Sequence, residues 1–118
     1  MRGSNFDEVR LPNPERAYVD LRKLRDYCLN PEHPCGRHKA RLFSEALGFS
    51  AYDAEDLQQA LLEAACANEA VLVGDDDFGK RYAVDLRVEG RTGTAIVRSL
   101  WIVKRGEEFP RLITCYVQ

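Results

Sequence analysis

Residues 37–41 read Arg37-His38-Lys39-Ala40-Arg41, four cationic or protonatable side chains in five positions. That is chemistry for an anion: Arg and Lys hold phosphate or carboxylate oxygens, and His exchanges protons near neutral pH. Further along, Arg98 stands between Ile96 and Leu100 on an apolar run, where a charge must be paired or must line a cleft. Thr114 and Tyr116 alternate on the last apolar run and offer hydroxyls to one face, with Arg111 at its start. Together these residues form the parts of a metal-independent ribonuclease. Such an enzyme needs a base for the 2′-hydroxyl, an acid for the leaving 5′ oxygen and cations for the phosphorane. His38 is the titrating candidate, with His33 a second; Lys39 and Arg98 hold the phosphate; Thr114 or Tyr116 orients it or relays a proton. Arg37, Arg41 and Arg111 complete the anion site.

Cys28, His33, Cys35 and His38 are zinc-type ligands within eleven residues. Structural zinc sites usually draw paired ligands from separated elements, and no CxxC occurs here. His33 also lies between Pro31 and Pro34, so no metal and no cofactor are expected. The four cysteines are expected as free thiols, because the polar stretch from Met1 to Asp20 reads as no export signal. A cytoplasmic protein without a membrane span is the expectation.

The elements that must position these residues follow from period and punctuation. Residues 1–14, with Gly3, Pro12 and Pro14, read as an extended arm. Residues 15–70 read as helical, after a short strand at Ala17–Val19. Asp20 caps a first helix whose face is Leu21, Leu24, Tyr27 and Cys28, stopped by Pro31. A second helix runs from about Gly36 to Leu47, with Leu42, Phe43, Ala46 and Leu47 inward and Gly48 ending it. Its cationic start opposes the helix dipole by a few tenths of a kcal/mol (~0.3) per charge, which an anion bound there would offset. Pairing with Glu32, Asp20 or Asp26 is the alternative. Asp53 caps a third helix over about 53–68, striped by Leu57, Ala60, Leu61 and Ala64 and widened by Leu62 and Ala65.

From residue 71 the pattern is that of an antiparallel sheet. Val71–Val73 can add a strand, and Gly74 with Asp75–Asp77 reads as a solvated loop. Tyr82, Val84, Leu86 and Val88 alternate with charged residues, Gly90–Gly93 turns, and Thr94–Lys104 is apolar on both faces. That double-sided run predicts a central strand, with Trp101 in the core and Arg98 pairing with Asp85 or Glu89 if it lines no cleft. Leu112–Val117 is the last strand. The expected class is α+β, three N-terminal helices followed by a three- to four-stranded antiparallel sheet, in a single domain of 118 residues.

A net charge of −2 hides segregation. Residues 1–48 carry +2, residues 49–79 carry −8 with no Lys or Arg, and residues 80–118 carry +4. The cations therefore gather at one helix start and on the last strands. The acidic middle could dock a basic partner.

The run Leu29-Asn30-Pro31-Glu32-His33-Pro34, then Gly36 to Phe43, Leu47-Gly48-Phe49, Val97-Arg98-Ser99, Trp101-Ile102, Gly106, Pro110-Arg111-Leu112 and Cys115-Tyr116 resembles an uncharacterised bacterial domain family. Its members occur as small proteins or as C-terminal domains labelled adhesin-like or toxin-like. Cys35 and the acidic 75–77 segment depart from that pattern. The layout is in turn similar to the ribonuclease-toxin superfamily of barnase, EndoU, the colicin E-type tRNases and RelE-like toxins. The resemblance implies RNA, or another phosphate-bearing ligand, as partner. The competing reading is a non-catalytic anion- or protein-binding module, one half of a two-gene pair with a small protein partner.

Overall fold

The computed structural model describes residues 10–118; residues 1–9 of the expected arm lie outside that range. The described part of the arm is anchored: Leu11 is buried in the core. A 3-10 turn at Pro14–Arg16 follows, and the expected strand at 17–19 is a single parallel bridge from Tyr18 to Arg111.

Asp20 starts the helical part. Its carboxylate accepts the Arg22 backbone N–H at 3.0 Å and caps α1 (Leu21–Lys23), as its place ahead of an apolar face predicts. The helix does not run on to Pro31. From Leu24 to Cys28 it widens into a π-turn, closed by the Leu29 N–H donating to the Leu24 carbonyl at 2.9 Å. Leu24 and Cys28 are fully buried there.

Helix α2 (Arg37–Leu47) stops at Gly48, whose φ of 71° lies in the left-handed region that favours glycine. The Phe49 N–H then returns to the Phe43 carbonyl at 3.2 Å, closing the helix end. Its buried stripe is Ala40, Phe43 and Leu47. Leu42, expected inward, lies off that i, i+3, i+7 stripe and is exposed.

Helix α3 (Ala54–Ala67) follows a 3-10 turn at Ala51–Asp53. Ser50, not Asp53, caps this segment: its hydroxyl accepts the Tyr52 N–H at 3.3 Å. Asp53 is the reciprocal member of the capping box and accepts the Ser50 N–H at 2.7 Å. The Asp53 carboxylate is almost wholly buried and also receives the Arg91 guanidinium from the sheet. Ala54, Leu57, Leu61, Ala64 and Ala65 form the inward stripe of α3.

Four antiparallel strands complete an α+β fold: β1 (Val71–Asp76), β2 (Gly79–Glu89), β3 (Thr94–Lys104) and β4 (Arg111–Val117), ordered as in the chain. Strand β1 is longer than expected. Gly74 to Asp76 belong to it, because they pair with Arg81, Lys80 and Gly79 across a bulge, and only Asp77 and Phe78 make the turn. The Gly90 N–H bonds the Gly93 carbonyl at 2.8 Å and closes the β2–β3 hairpin where it was expected.

Tyr82, Val84, Leu86 and Val88 of β2 face Trp101, Ser99, Val97 and Ala95 of β3, and the helices cover this face. Trp101 is fully buried and donates its indole N–H to Ser99 Oγ at 2.9 Å, which donates to the Val84 carbonyl at 2.7 Å. Strand β3 is central, as expected, but only one of its faces is covered. Ile96, Leu100 and Ile102 remain partly exposed on the other, so lateral position alone accounts for their apolar character. No helix among the described residues is long and apolar enough to cross a membrane.

The helical layer is tied to the sheet at the hairpin tip. The Arg91 N–H donates to the Leu47 carbonyl at 2.8 Å, and the Arg91 guanidinium donates to the Gly48 carbonyl at 3.2 Å while holding Asp53. That guanidinium and the Ser50 N–H hold the Asp53 carboxyl below the usual carboxylate range. A lowered folded pKa stabilises above the ordinary carboxylate pKa and loses that contribution as pH falls through the folded value. Asp53→Asn is therefore expected to cost about 1–3 kcal/mol at neutral pH. Urea denaturation at neutral pH and below about pH 4 checks this, with the gap between variant and wild type closing in acid.

Candidate functional site

The start of α2 has no Ser, Thr, Asp or Asn cap. His33 does that work from four residues upstream. Its Nδ1 accepts the N–H groups of Cys35 and Gly36, both at 3.0 Å, and so carries no proton in this arrangement. The ring stands edge-on to Tyr27, with centroids 4.8 Å apart. Gly36 is needed where the helix start meets the π-turn, because a Cβ there would overlap the Tyr27 carbonyl.

The cations of α2 do not converge. Lys39 donates to the Tyr27 hydroxyl at 3.1 Å and lies 5.1 Å from the centre of that ring. Arg41 reaches Glu45 loosely, at 3.9 Å. Arg37 and His38 are exposed, and among the described residues no side-chain hydrogen bond or ion pair engages them. Nor do the expected acids pair with them: Asp20 bonds Arg22, and Asp26 bonds Arg25. Among the described residues no three His, Cys, Asp or Glu side chains gather as a metal cage.

Beneath this helix start the π-turn brings together two thiols 87 positions apart in the chain. Cys28 and Cys115 are both fully buried and free. The Cys115 thiol and N–H lie beside the Cys28 sulfur, the Thr114 hydroxyl stands 3.8 Å from it, and Lys39 adds positive charge. These groups outweigh burial and lower the Cys28 thiol to about 6, while Cys28 and burial push Cys115 up. Nothing in the cysteine spacing signals this pair. A groove of about 650 Å³, lined by Lys23, Tyr27, Ile113 and Thr114 among others, opens beside it.

The open face of the sheet carries a second constellation. Asp85, Arg98 and Tyr116 stand opposite one another on β2, β3 and β4 and form one row. Arg98 donates through Nε and Nη2 to the two Asp85 oxygens at 2.8 and 2.9 Å, the pairing expected if it lined no cleft. It lines one as well: a groove of about 480 Å³ bounded by Asn68, Val71, Val73, Ala83, Asp85 and Arg98. Tyr116 is the cross-strand partner of Arg98 on the other side. Arg98 holds Asp85 below the usual carboxylate range, and Asp85 in turn raises Arg98. Arg111 is engaged elsewhere, on both Glu107 oxygens at 2.9 Å and over the Phe109 ring at 4.9 Å.

The five residues expected to act together thus fall in three places. Arg98 and Tyr116 meet on the open face. Lys39 and Thr114 both border the buried thiols. His38 stands alone in solvent. Helix α2 packs on the covered face through Phe43 and Leu47, so the sheet lies between its cations and Arg98. Sequence reasoning missed Asp85 as a partner in the site and named it only as a neutraliser.

Residues 10–118 match a family model described as a domain of unknown function, DUF6883. No curated protein and no solved structure matches the chain.

The thiol pair makes a direct expectation. Thiolate absorbance of the native protein should rise in a step near pH 6, absent in Cys28→Ser and moved upward in Cys115→Ala, which removes the neighbouring thiol. Because the folded pKa of Cys28 is lowered, wild type should also gain stability over Cys28→Ser as pH rises from about 6 toward the ordinary thiol value. Denaturation across that range measures it.

Proposed function

The chain belongs to the DUF6883 family, and from the row of side chains on its open sheet face we propose that it binds single-stranded RNA and cleaves it without a metal ion. One observation carries the reading. Asp85, Arg98 and Tyr116 lie side by side on three adjacent strands, on a face that no other layer of the described residues covers. A carboxylate, a guanidinium and a phenol in that order are a base, an anion holder and a proton donor. Arg87 extends the row toward the hairpin, exposed and without an ion-pair partner among the described residues, and offers a second phosphate contact. Ile96 and Leu100 give the ribose and bases an apolar floor.

The chemistry runs through exchange of the Arg98 partner. A phosphate entering the groove competes with Asp85 for the guanidinium fork. As Arg98 turns to the phosphate, Asp85 loses the cation that lowers its pKa and becomes a better base. It takes the proton of the 2′-hydroxyl, and the 2′ oxygen attacks phosphorus. The bond from phosphorus to the 5′ oxygen breaks, and the Tyr116 hydroxyl donates its proton to that leaving oxygen. Arg98 stabilises the charge on the non-bridging oxygens throughout. The products are a 2′,3′-cyclic phosphate and a 5′-hydroxyl, and the proton on Asp85 returns to Tyr116 through solvent. His38 and Lys39 lie across the sheet and take no part.

The test is incubation of a labelled single-stranded oligoribonucleotide with the protein in a metal chelator. Wild type should release cyclic-phosphate ends. Asp85→Asn and Arg98→Gln should each lose about a hundred-fold or more in cleavage rate. Arg98→Gln should also weaken binding about ten-fold, whereas Tyr116→Phe should spare binding, and His38→Ala should change neither. An exposed pair contributes about 0–1 kcal/mol, so these variants should fold. Cleavage that survives Arg98→Gln unchanged, or absence of RNA binding at low salt, would sink the reading.

A further inference from the structure

We infer that the free edge of β1 is a docking site for an extended, basic segment of a partner protein, which joins the sheet as a fifth strand. The two edges of the sheet are treated differently. Strand β4 is covered at its start: the Tyr18 N–H donates to the Pro110 carbonyl at 2.9 Å, the Leu112 N–H donates to the Tyr18 carbonyl at 2.9 Å, and Lys23 reaches the Leu112 carbonyl. Strand β1 pairs with β2 on one side and, among the described residues, with nothing on the other. Helix α3 packs on β2 and stops short of it.

This bare edge is also apolar. Val71, Leu72, Val73 and Phe78 are 61, 46, 55 and 73 % exposed, and they are half of the eight large apolar or aromatic side chains exposed among the described residues. Neighbouring residues on a strand point to opposite faces, so exposure of Val71 and Leu72 together leaves β1 uncovered above and below. Edge strands are usually blunted by Lys, Pro, other charges or a bulge; β1 has no Lys or Pro, and its bulge between Leu72 and Gly74 and its acids at 75 and 76 leave Val71 and Leu72 as the apolar end of the edge. An edge of this kind accepts an added strand through its free backbone N–H and C=O groups.

Charge selects the occupant. No Lys or Arg occurs from residue 49 to 79. Asp76 is neutralised by Arg81, Lys80 stands opposite Asp75, and Arg105 donates to the Asp76 and Asp77 carbonyls, but the Glu69, Asp75 and Asp77 carboxylates make no ion pair among the described residues. A second copy fits poorly. Antiparallel self-pairing that sets Val71–Val73 against themselves puts Glu69 opposite Asp75, and like charges directly opposite destabilise a sheet. Sliding the register to part them sets Leu72 against Asp75 and Val71 against Asp76. A strand alternating apolar residues with Lys or Arg satisfies the apolar stripe and the acids at once. Residues 1–9 do not supply it, since they carry one Arg against Asp7 and Glu8.

A fluorescent peptide alternating Val and Lys is the probe, with a Val and Glu peptide as control, titrated against the full chain by anisotropy. The basic peptide should bind at least about ten-fold tighter than the acidic one, more weakly as salt rises. It should also slow amide hydrogen exchange at 71–76. Asp75→Asn with Asp77→Asn should erase most of that preference; neither carboxylate engages a described side chain and no like charges are brought together, so the fold should stand. Val71 and Val73 also border the groove of Asp85 and Arg98, so the readout that separates edge pairing from the proposed RNA face is exchange: slowing at 71–76 by the basic peptide should persist in Asp85→Asn and Arg98→Gln. Equal binding of the two peptides, protection elsewhere than 71–76, or a stable dimer of the chain alone in sedimentation would overturn the inference.

Discussion

Burial of Trp101 constrains the rest of this fold. The indole has no exposed surface, and its N–H needs a partner; Ser99 Oγ on the same strand face supplies one and is itself satisfied by the Val84 carbonyl of the next strand. A strand has a side-chain period of two, so placing Trp101, Ser99 and Val97 inward sends Arg98, Leu100 and Ile102 outward. The register then carries this parity sideways, to Asp85 on β2 and Tyr116 on β4. A slip of one residue would bury Arg98 and strip two buried polar groups of their partners, a loss of several kcal/mol (about 2–5). The row on the open face is thus a consequence of the core.

The helices determine how much sheet is left bare. At the tip of the β2–β3 hairpin the Arg91 N–H and guanidinium satisfy the last carbonyls of α2, and the same guanidinium meets Asp53 ahead of α3. With both helices pinned there, α3 lies over β2 and α2 over β3 and β4. Neither extends to β1, and neither can reach the far face. Stability resides on one side of the sheet, and the unengaged chemistry lies on the other side and along one edge.

Much of this was legible in the sequence because it rests on local rules. The alternation of Tyr82, Val84, Leu86 and Val88, the double-sided run from Thr94 to Lys104, the Asp20 cap and the Gly48 stop depend only on neighbours. What was illegible depends on distant chain. Asp53 looks like a cap until Arg91 and Ser50 are seen to share it. Gly74 and its acids look like a loop until β2 pairs with them. His33, Cys28 and Cys115 gain their roles only when the π-turn, the α2 start and β4 come together. The α2 cations oppose the helix dipole, as their order in the sequence implies, yet α2 packs on the covered face, which keeps them from Arg98.

Two Asp–Arg pairs in this molecule share the same chemistry and differ in what they can do. The Asp53 side chain is 3 % exposed. Releasing Arg91 would leave a buried charge whose only remaining donors are the Ser50 N–H and hydroxyl, a strongly unfavourable state. That pair must hold, and it holds the helices to the hairpin. The Asp85 side chain is 41 % exposed and that of Arg98 is 37 %. Water can take either partner, so the net worth of the pair is small, about 0–1 kcal/mol. A phosphodiester, whose two non-bridging oxygens share one negative charge, fits the same fork, and on the proposed function it displaces the carboxylate at little cost. Exposure is what makes Arg98 exchangeable, and the open face that the core parity imposes is what makes it exposed.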